Sequence, residues 1–162
     1  MINVNFKKIK YYALPIHSRG FTLIETLLIV AIAVGIFALS APYTMNFYKS
    51  NLIEDSRSNI ADTLQRAKHN AALQKNDSSF GVHFDQTANT YTLFQGDDYS
   101  TRDDTQDEVY TIIDQIILSG LEDVIFSKLS SIPRATGTIT LIYGNFIKEI
   151  IIDDSGLVSK VD

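Results

Sequence analysis

The sequence predicts an α+β fold: a long N-terminal α-helix, its first half transmembrane and its second half amphipathic, packed on a small antiparallel β-sheet domain. Three observations carry that expectation. From Thr26 to Tyr48 no side chain is charged, and a helix of about 20 apolar residues spans the roughly 30 Å hydrocarbon core of a bilayer. Beyond Tyr48, residues Ile53, Ile60, Leu64, Ala67 and Ala71 fall at spacings of seven, four, three and four, one stripe of a 3.6-residue helix with polar residues elsewhere. From Phe80 onward, short runs rich in β-branched and aromatic residues alternate with turn-forming clusters, the pattern of strands and hairpins.

Four segments follow in order: a basic leader at 1–20, a transmembrane helix at 21–48, its amphipathic continuation at 49–77, and a β-rich domain at 78–162. In the leader the only charges are Lys7, Lys8, Lys10 and Arg19, whereas the whole chain carries a net charge of −5. The positive-inside rule then places the N-terminus in the cytoplasm and the rest outside, a single-pass protein of a bacterial inner membrane. A cleavable signal peptide is the competing reading, with small residues at Ala38 to Ala41, but Pro42 follows the candidate bond and the helical period continues beyond it. Gly35 and Pro42 are the expected places for the helix to bend. Asn76, Asp77, Ser78 and Ser79 are expected to stop it.

In the domain, Phe80 to Phe84 and Thr90 to Phe94 make a hairpin across a turn-rich linker. Gly144-Asn145 joins a second hairpin, with glycine where positive φ is needed. Asp153 to Gly156 turns the chain again, completing a three-stranded meander. Between these halves, two further strands are separated by Ser119-Gly120, and Val109 to Leu118 is open between strand and short helix.

The stretch "RGFTLIETLLIVAIAVGIFALSAPYTMNFY" resembles the processing and assembly signature of type IV pilins and of the pseudopilins of type II secretion. The resemblance implies cleavage by a prepilin peptidase between Gly20 and Phe21, N-methylation of Phe21, a subunit-assembly role for Glu25, and a helix kink at Pro42. Bottom-up, Glu25 needs an explanation, because a carboxylate within a bilayer costs about 2.5 to 3.5 kcal/mol. Cleavage would create its partner, the new amine of Phe21 on an adjacent subunit, so that pairing rewards only the correct register. The bland alternative is an acid in the first turn of a helix, favoured there by the macrodipole. The strands and turns of the β-rich domain are similar, more narrowly, to GspH/FimT-type minor pseudopilins and pilins. Implied partners are the prepilin peptidase, a major pilin or pseudopilin, other minor subunits, an inner-membrane assembly platform, and lipid before assembly. The implied function is that of a structural subunit of a type IV pilus or a type II secretion pseudopilus.

The remaining chemistry is thin. The chain has no cysteine, which excludes disulfides, thiolate metal sites and a cysteine nucleophile. Asp97, Asp98, Asp103, Asp104, Asp107 and Glu108 crowd one loop and are the oxygen ligands calcium prefers, but they lack EF-hand spacing and read as a solvated acidic loop. His69 and His83 have no nearby histidine or cysteine and read as structural or surface groups. No nucleophile elbow, phosphate loop or zinc helix is present, so neither enzyme activity nor a cofactor is expected. A filament-borne binding module, for DNA uptake or for a secreted substrate, is the alternative function. DNA binding would rest on Arg102, Lys128, Arg134, Lys148 and Lys160, and the acidic balance of the body disfavours it.

Overall fold

The computed structural model describes residues 20–161, with the side chains of residues 40–44 outside the description. All of the basic leader before Gly20, with Lys7, Lys8, Lys10 and Arg19, therefore lies outside the described residues, as does the side chain of Pro42. One α-helix, α1 (Leu23–Ala72), is followed by eight strands: β1 (Phe80–Asp85), β2 (Thr90–Gln95), β3 (Glu108–Thr111), β4 (Ile117–Gly120), β5 (Asp123–Phe126), β6 (Gly137–Tyr143), β7 (Phe146–Ile152) and β8 (Val158–Val161). The chain divides within α1 into two units, Met1–Ala41 and Pro42–Asp162.

No helix among the described residues is long and apolar enough to cross a membrane. This overturns the transmembrane half of the expected helix, and with it the single-pass topology and the inner-membrane localisation.

In the second unit the helical stripe does what its spacing asks. Ile53, Ile60, Leu64, Ala67 and Ala71 are fully buried, as is Ala61, and they share one core with residues of all the longer strands. The expected single sheet is in fact two antiparallel four-stranded sheets, ordered β3-β2-β1-β5 and β4-β6-β7-β8. Helix α1 is tied to an edge of each. Arg66 forms a two-pronged pair with Glu108 on β3 at 2.9 and 2.7 Å, and Arg57 Nη1 donates to the Val161 carbonyl on β8 at 2.9 Å. These bonds fasten the helix to one edge strand of each sheet.

Both expected hairpins are present. β1 pairs with β2 from Phe80↔Gln95 to Asp85↔Thr90, and β6 meets β7 at Tyr143↔Phe146 across Gly144, which sits at φ 59°. The segment left open, 109–118, holds parts of β3 and β4 joined by a tight turn in which Ile116 N–H donates to the Ile113 carbonyl at 2.8 Å. Ser119-Gly120 does not separate strands but ends β4, and Gly120 approaches β6 so closely that a Cβ there would lie 2.1 Å from the Thr138 carbonyl oxygen. Helix α1 stops at Ala72, before the expected breakers, because Gln74 takes a left-handed conformation at φ 52°.

The outer face of the first sheet has its own small cluster. Gly81 lies between Phe94 and Ile125 in the register, and the Phe94 ring lies across it. Tyr99, from the loop after β2, stands edge-on to Phe94 at 5.3 Å and stacks on His83 at 3.7 Å. The acidic loop therefore closes this face, which is why Phe94 is 1% exposed on the side of the sheet away from α1.

Candidate assembly site

The head of α1 is built by a cap. Thr22 is the residue before the first helical one, and its Oγ1 accepts the Glu25 N–H at 3.3 Å while its carbonyl accepts the N–H groups of Glu25 and Thr26, each at 3.1 Å. The spacing Thr-x-x-Glu is that of a capping box, a signal present in the sequence that identifies Thr22 as a positioning residue beside Glu25. Thr26 Oγ1 adds a bond to the Leu23 carbonyl at 2.9 Å. Glu25 thus occupies the first turn, where the partial positive charge of the helix N-terminus favours a carboxylate.

Gly20 and Phe21 precede this turn and are exposed. A Cβ at Gly20 would meet nothing within 4 Å, so folding of the described chain does not require glycine there. From Phe21 to Leu39, twelve large apolar side chains are 53–77% exposed, among them Phe21, Ile24, Leu28, Ile32, Ile36 and Phe37. They point in every direction around the helix rather than along one stripe, and a helix apolar all round belongs inside something. At Pro42 the helix is continuous through Leu23–Ala72.

The other residues singled out in the sequence do not assemble. In the acidic loop five of the six carboxylates have a local partner, Glu108 with Arg66 among them. Asp98 Oδ1 accepts Ser100 N–H at 2.8 Å and Ser100 Oγ at 2.6 Å, and Asp103 Oδ1 accepts Thr105 N–H at 3.1 Å and Oγ1 at 2.6 Å, each capping a short 3-10 turn. Asp97 accepts from Ser79 Oγ at 2.8 Å and from Arg134 Nη2 at 2.5 Å, and Asp107 holds Arg102 Nε at 2.7 Å. The Ser79 hydroxyl, then Arg134, holds the Asp97 carboxyl below the usual carboxylate range, and Ser100 and Thr105 do the same for Asp98 and Asp103. The loop is folded by its acids rather than merely solvated. Among the described residues no three His, Asp or Glu side chains gather as a metal site.

His83 Nδ1 lies 2.8 Å from Asp123 Oδ1, and the Arg102 guanidinium sits 3.5 Å from the Tyr99 ring centroid, so both histidine and arginine serve to clamp Tyr99. His69 is on the exposed last turn of α1. Of the cations named for nucleic acid, Arg102, Lys128 and Arg134 are paired with Asp107, Asp77 and Asp97, and Lys160 Nζ donates to Ser58 Oγ at 3.0 Å. Arg102, Lys128 and Arg134 are thus each balanced by a carboxylate rather than left to meet phosphate.

No family model and no curated protein matches the sequence. Among solved structures, the fold is similar to the minor pseudopilin EpsH from the type 2 secretion system of Vibrio cholerae, with a TM-score of 0.52 and 13% identity, covering 67% of this chain and 94% of that one. At that identity the likeness establishes a pilin-like fold.

Proposed function

We propose that the chain is a structural subunit of a filament of the pseudopilin kind, a minor pilin or pseudopilin of a secretion or pilus system, and not an enzyme. The observation that carries this is the helix from Leu23 to Leu39, apolar around its whole circumference with its large apolar side chains 53–77% exposed, in a chain whose second unit has its own core. Such a helix is covered when equivalent helices of neighbouring subunits pack around it. The fold likeness to a minor pseudopilin supports the same reading.

In this proposal a prepilin peptidase cuts between Gly20 and Phe21, Phe21 becomes the N-methylated terminus, and Glu25 receives the amine of an adjacent subunit. Thr22 holds the first turn wound, so that amine and carboxylate keep a fixed axial offset. Once both are surrounded by apolar side chains, leaving either charge unpaired costs about 3–5 kcal/mol. Pro42 would let the helix adjust where the two units join. The partners are then the peptidase, a major pilin or pseudopilin, other minor subunits and an assembly platform. DNA capture gains no support from cations already paired with carboxylates.

The test replaces Glu25 with Gln in the full chain and measures processing and co-purification with the major subunit. Processing should continue, while incorporation drops by about tenfold or more, a drop that corresponds to at least 1.4 kcal/mol. Equal incorporation of Glu25→Gln, or a mature terminus other than Phe21, would remove the basis for this assignment.

A further inference from the structure

The segment 96–107, between β2 and β3, covers the outer face of the first sheet without contributing to the core. Phe94 beneath it is 1% exposed, yet neither Phe94 nor Ile125, its neighbour across Gly81, belongs to the core that α1 shares with the strands. No residue of the segment belongs to that core either. Lifting the segment would therefore bare this face while the interior stayed closed. Segments that open by themselves are those with few buried apolar contacts.

One ring and a set of carboxylates hold it down. Tyr99 stands edge-on to Phe94 and lies between the His83 ring at 3.7 Å and the Arg102 guanidinium at 3.5 Å. Asp107 accepts from Arg102 Nε at 2.7 Å, and Asp104 adds its charge beside that guanidinium. At the near end Asp97 accepts from Ser79 and Arg134 and feels the charge of Lys128, and at the far end Glu108 is fixed to Arg66. Asp98, which also feels Arg134, and Asp103 wind the two short turns through Ser100 and Thr105. Gly96, at φ 143°, supplies a hinge in a conformation that favours glycine.

We propose that residues 96–107 form a strap released by acid, swinging about Gly96 to uncover Phe94 and the outer face of the first sheet while α1 and both sheets stay folded. The near anchor, the Arg102 pair and both turns depend on ionised carboxylates as acceptors, so protonation loosens them together. Tyr99 is undermined at the same time. His83 faces Asp123 at 2.8 Å and the charge of Asp85, and an imidazole is charged wherever carboxylates are protonated. With Asp85, Asp107 and Asp123 neutralised, His83 and Arg102 become two uncompensated cations on opposite faces of one ring. The carboxylates fix the sign. Ser79, then Arg134, holds Asp97 below the usual carboxylate range, as Ser100 does Asp98 and Thr105 does Asp103. The closed strap is therefore favoured above that range and loses the advantage as pH falls through the lowered values. Strands β6 and β7 are held instead by apolar burial and backbone pairing, which acid leaves in place.

The test is amide exchange followed by NMR in the full chain, kept in solution by a non-ionic detergent, from about pH 7 to about pH 3, each rate being divided by that of an unstructured chain at the same pH. The reporting amides are Gly96, Thr101, Gln106 and Asp107, which donate to backbone carbonyls within the strap or at its anchor, against Leu141 and Ile150 in the core strands. Strap protection should fall by about tenfold or more at a higher pH than that at which Leu141 and Ile150 lose theirs. Tyr99→Ala should open the strap already at neutral pH with the core amides unchanged, and Tyr99→Phe, which keeps the ring, should behave as the parent. Loss of protection by strap and core amides together at one pH would overturn the proposal. Strap protection that persists through the whole range, or that Tyr99→Ala leaves untouched, would overturn it equally.

Discussion

Replacing Gly120 with alanine should detach β4 from its sheet. Gly120 sits at φ 115°, and its new Cβ would lie 2.1 Å from the Thr138 carbonyl oxygen and 3.1 Å from Ile139 Cα, both backbone atoms of β6. No rotamer relieves such a contact, so β4 must move away from β6 by about an ångström, breaking the Ile139 to Ile142 pairing. Two costs add. Alanine at this φ costs about 1–3 kcal/mol, and displacing β4 exposes Leu118, now 4% exposed, at about 1.5–3 kcal/mol. The total, roughly 2.5–6 kcal/mol, is a large share of the 5–15 kcal/mol that stabilises a typical domain. Gly144→Ala is the matched control: φ is 59° and nothing lies within 4 Å of its Cβ, so only the local cost of about 1–2 kcal/mol applies. Denaturant unfolding of the three proteins, with amide exchange at β4 and β8, separates the effects. If Gly120→Ala unfolds within 0.5 kcal/mol of the parent, roughly the error of additivity, the close approach of β4 and β6 is not what fixes that sheet.

Acid should destabilise the domain. Neighbouring hydroxyls, N–H groups or cations hold Asp85, Asp97, Asp98, Asp103, Glu108 and Asp153 below the usual carboxylate range. A group whose folded value is depressed contributes stability above its unfolded value and loses it as pH falls through the folded one, so the unfolding midpoint should be flat from about pH 7 to 5 and fall below about pH 4. A midpoint that rises between pH 5 and 3 would contradict these contacts. Thr22→Ala should remove the cap on α1 at a cost of about 0.5–2 kcal/mol, seen as faster amide exchange at Glu25 and Thr26 with little change in total helix content. Thr22→Ser should restore protection, and equal exchange in all three would show that the cap is idle.

What the sequence revealed depended on distance along the chain. The stripe from Ile53 to Ala71 and the hairpin at Gly144-Asn145 are local patterns, and each is found where its spacing or turn chemistry places it. The partition into two sheets was not legible, because β4 joins β6 while β5 returns to β1, and no local residue pattern announces either pairing. Ser119-Gly120 read as a separator because glycine usually interrupts strands; here the glycine ends β4 because the neighbouring backbone comes too close for any side chain. The acidic loop looked like a ligand set or a solvated run, and only the structure shows Tyr99 locked between His83 and Arg102, with the aspartates capping the turns around it. Leu129 and Ser131 carry no sequence signal for the positive φ they adopt. At the candidate assembly site the reverse holds. Thr22 to Glu25 is contiguous, so its capping pattern was readable, whereas the apolar run suggested a membrane span that the described helix does not provide.

Magnitudes separate the roles of the apolar helix and of Glu25 in the proposed assembly. Fully burying a large apolar side chain is worth about 1.5–3 kcal/mol, so completing the burial of twelve that are already partly covered would supply roughly 12–24 kcal/mol. That is enough to offset an association cost of about 4–15 kcal/mol. An ion pair inside the same packed bundle adds little net free energy, because desolvating both charges consumes most of their attraction. Apolar burial would therefore drive assembly but could not set its register, since a helix apolar on every side packs nearly as well after a shift of one turn. A displaced neighbour, however, would leave Glu25 and an amine unpaired among apolar groups at about 3–5 kcal/mol. The carboxylate then acts by penalising wrong registers, which is why its loss should reduce ordered incorporation far more than it reduces the stability of the subunit itself.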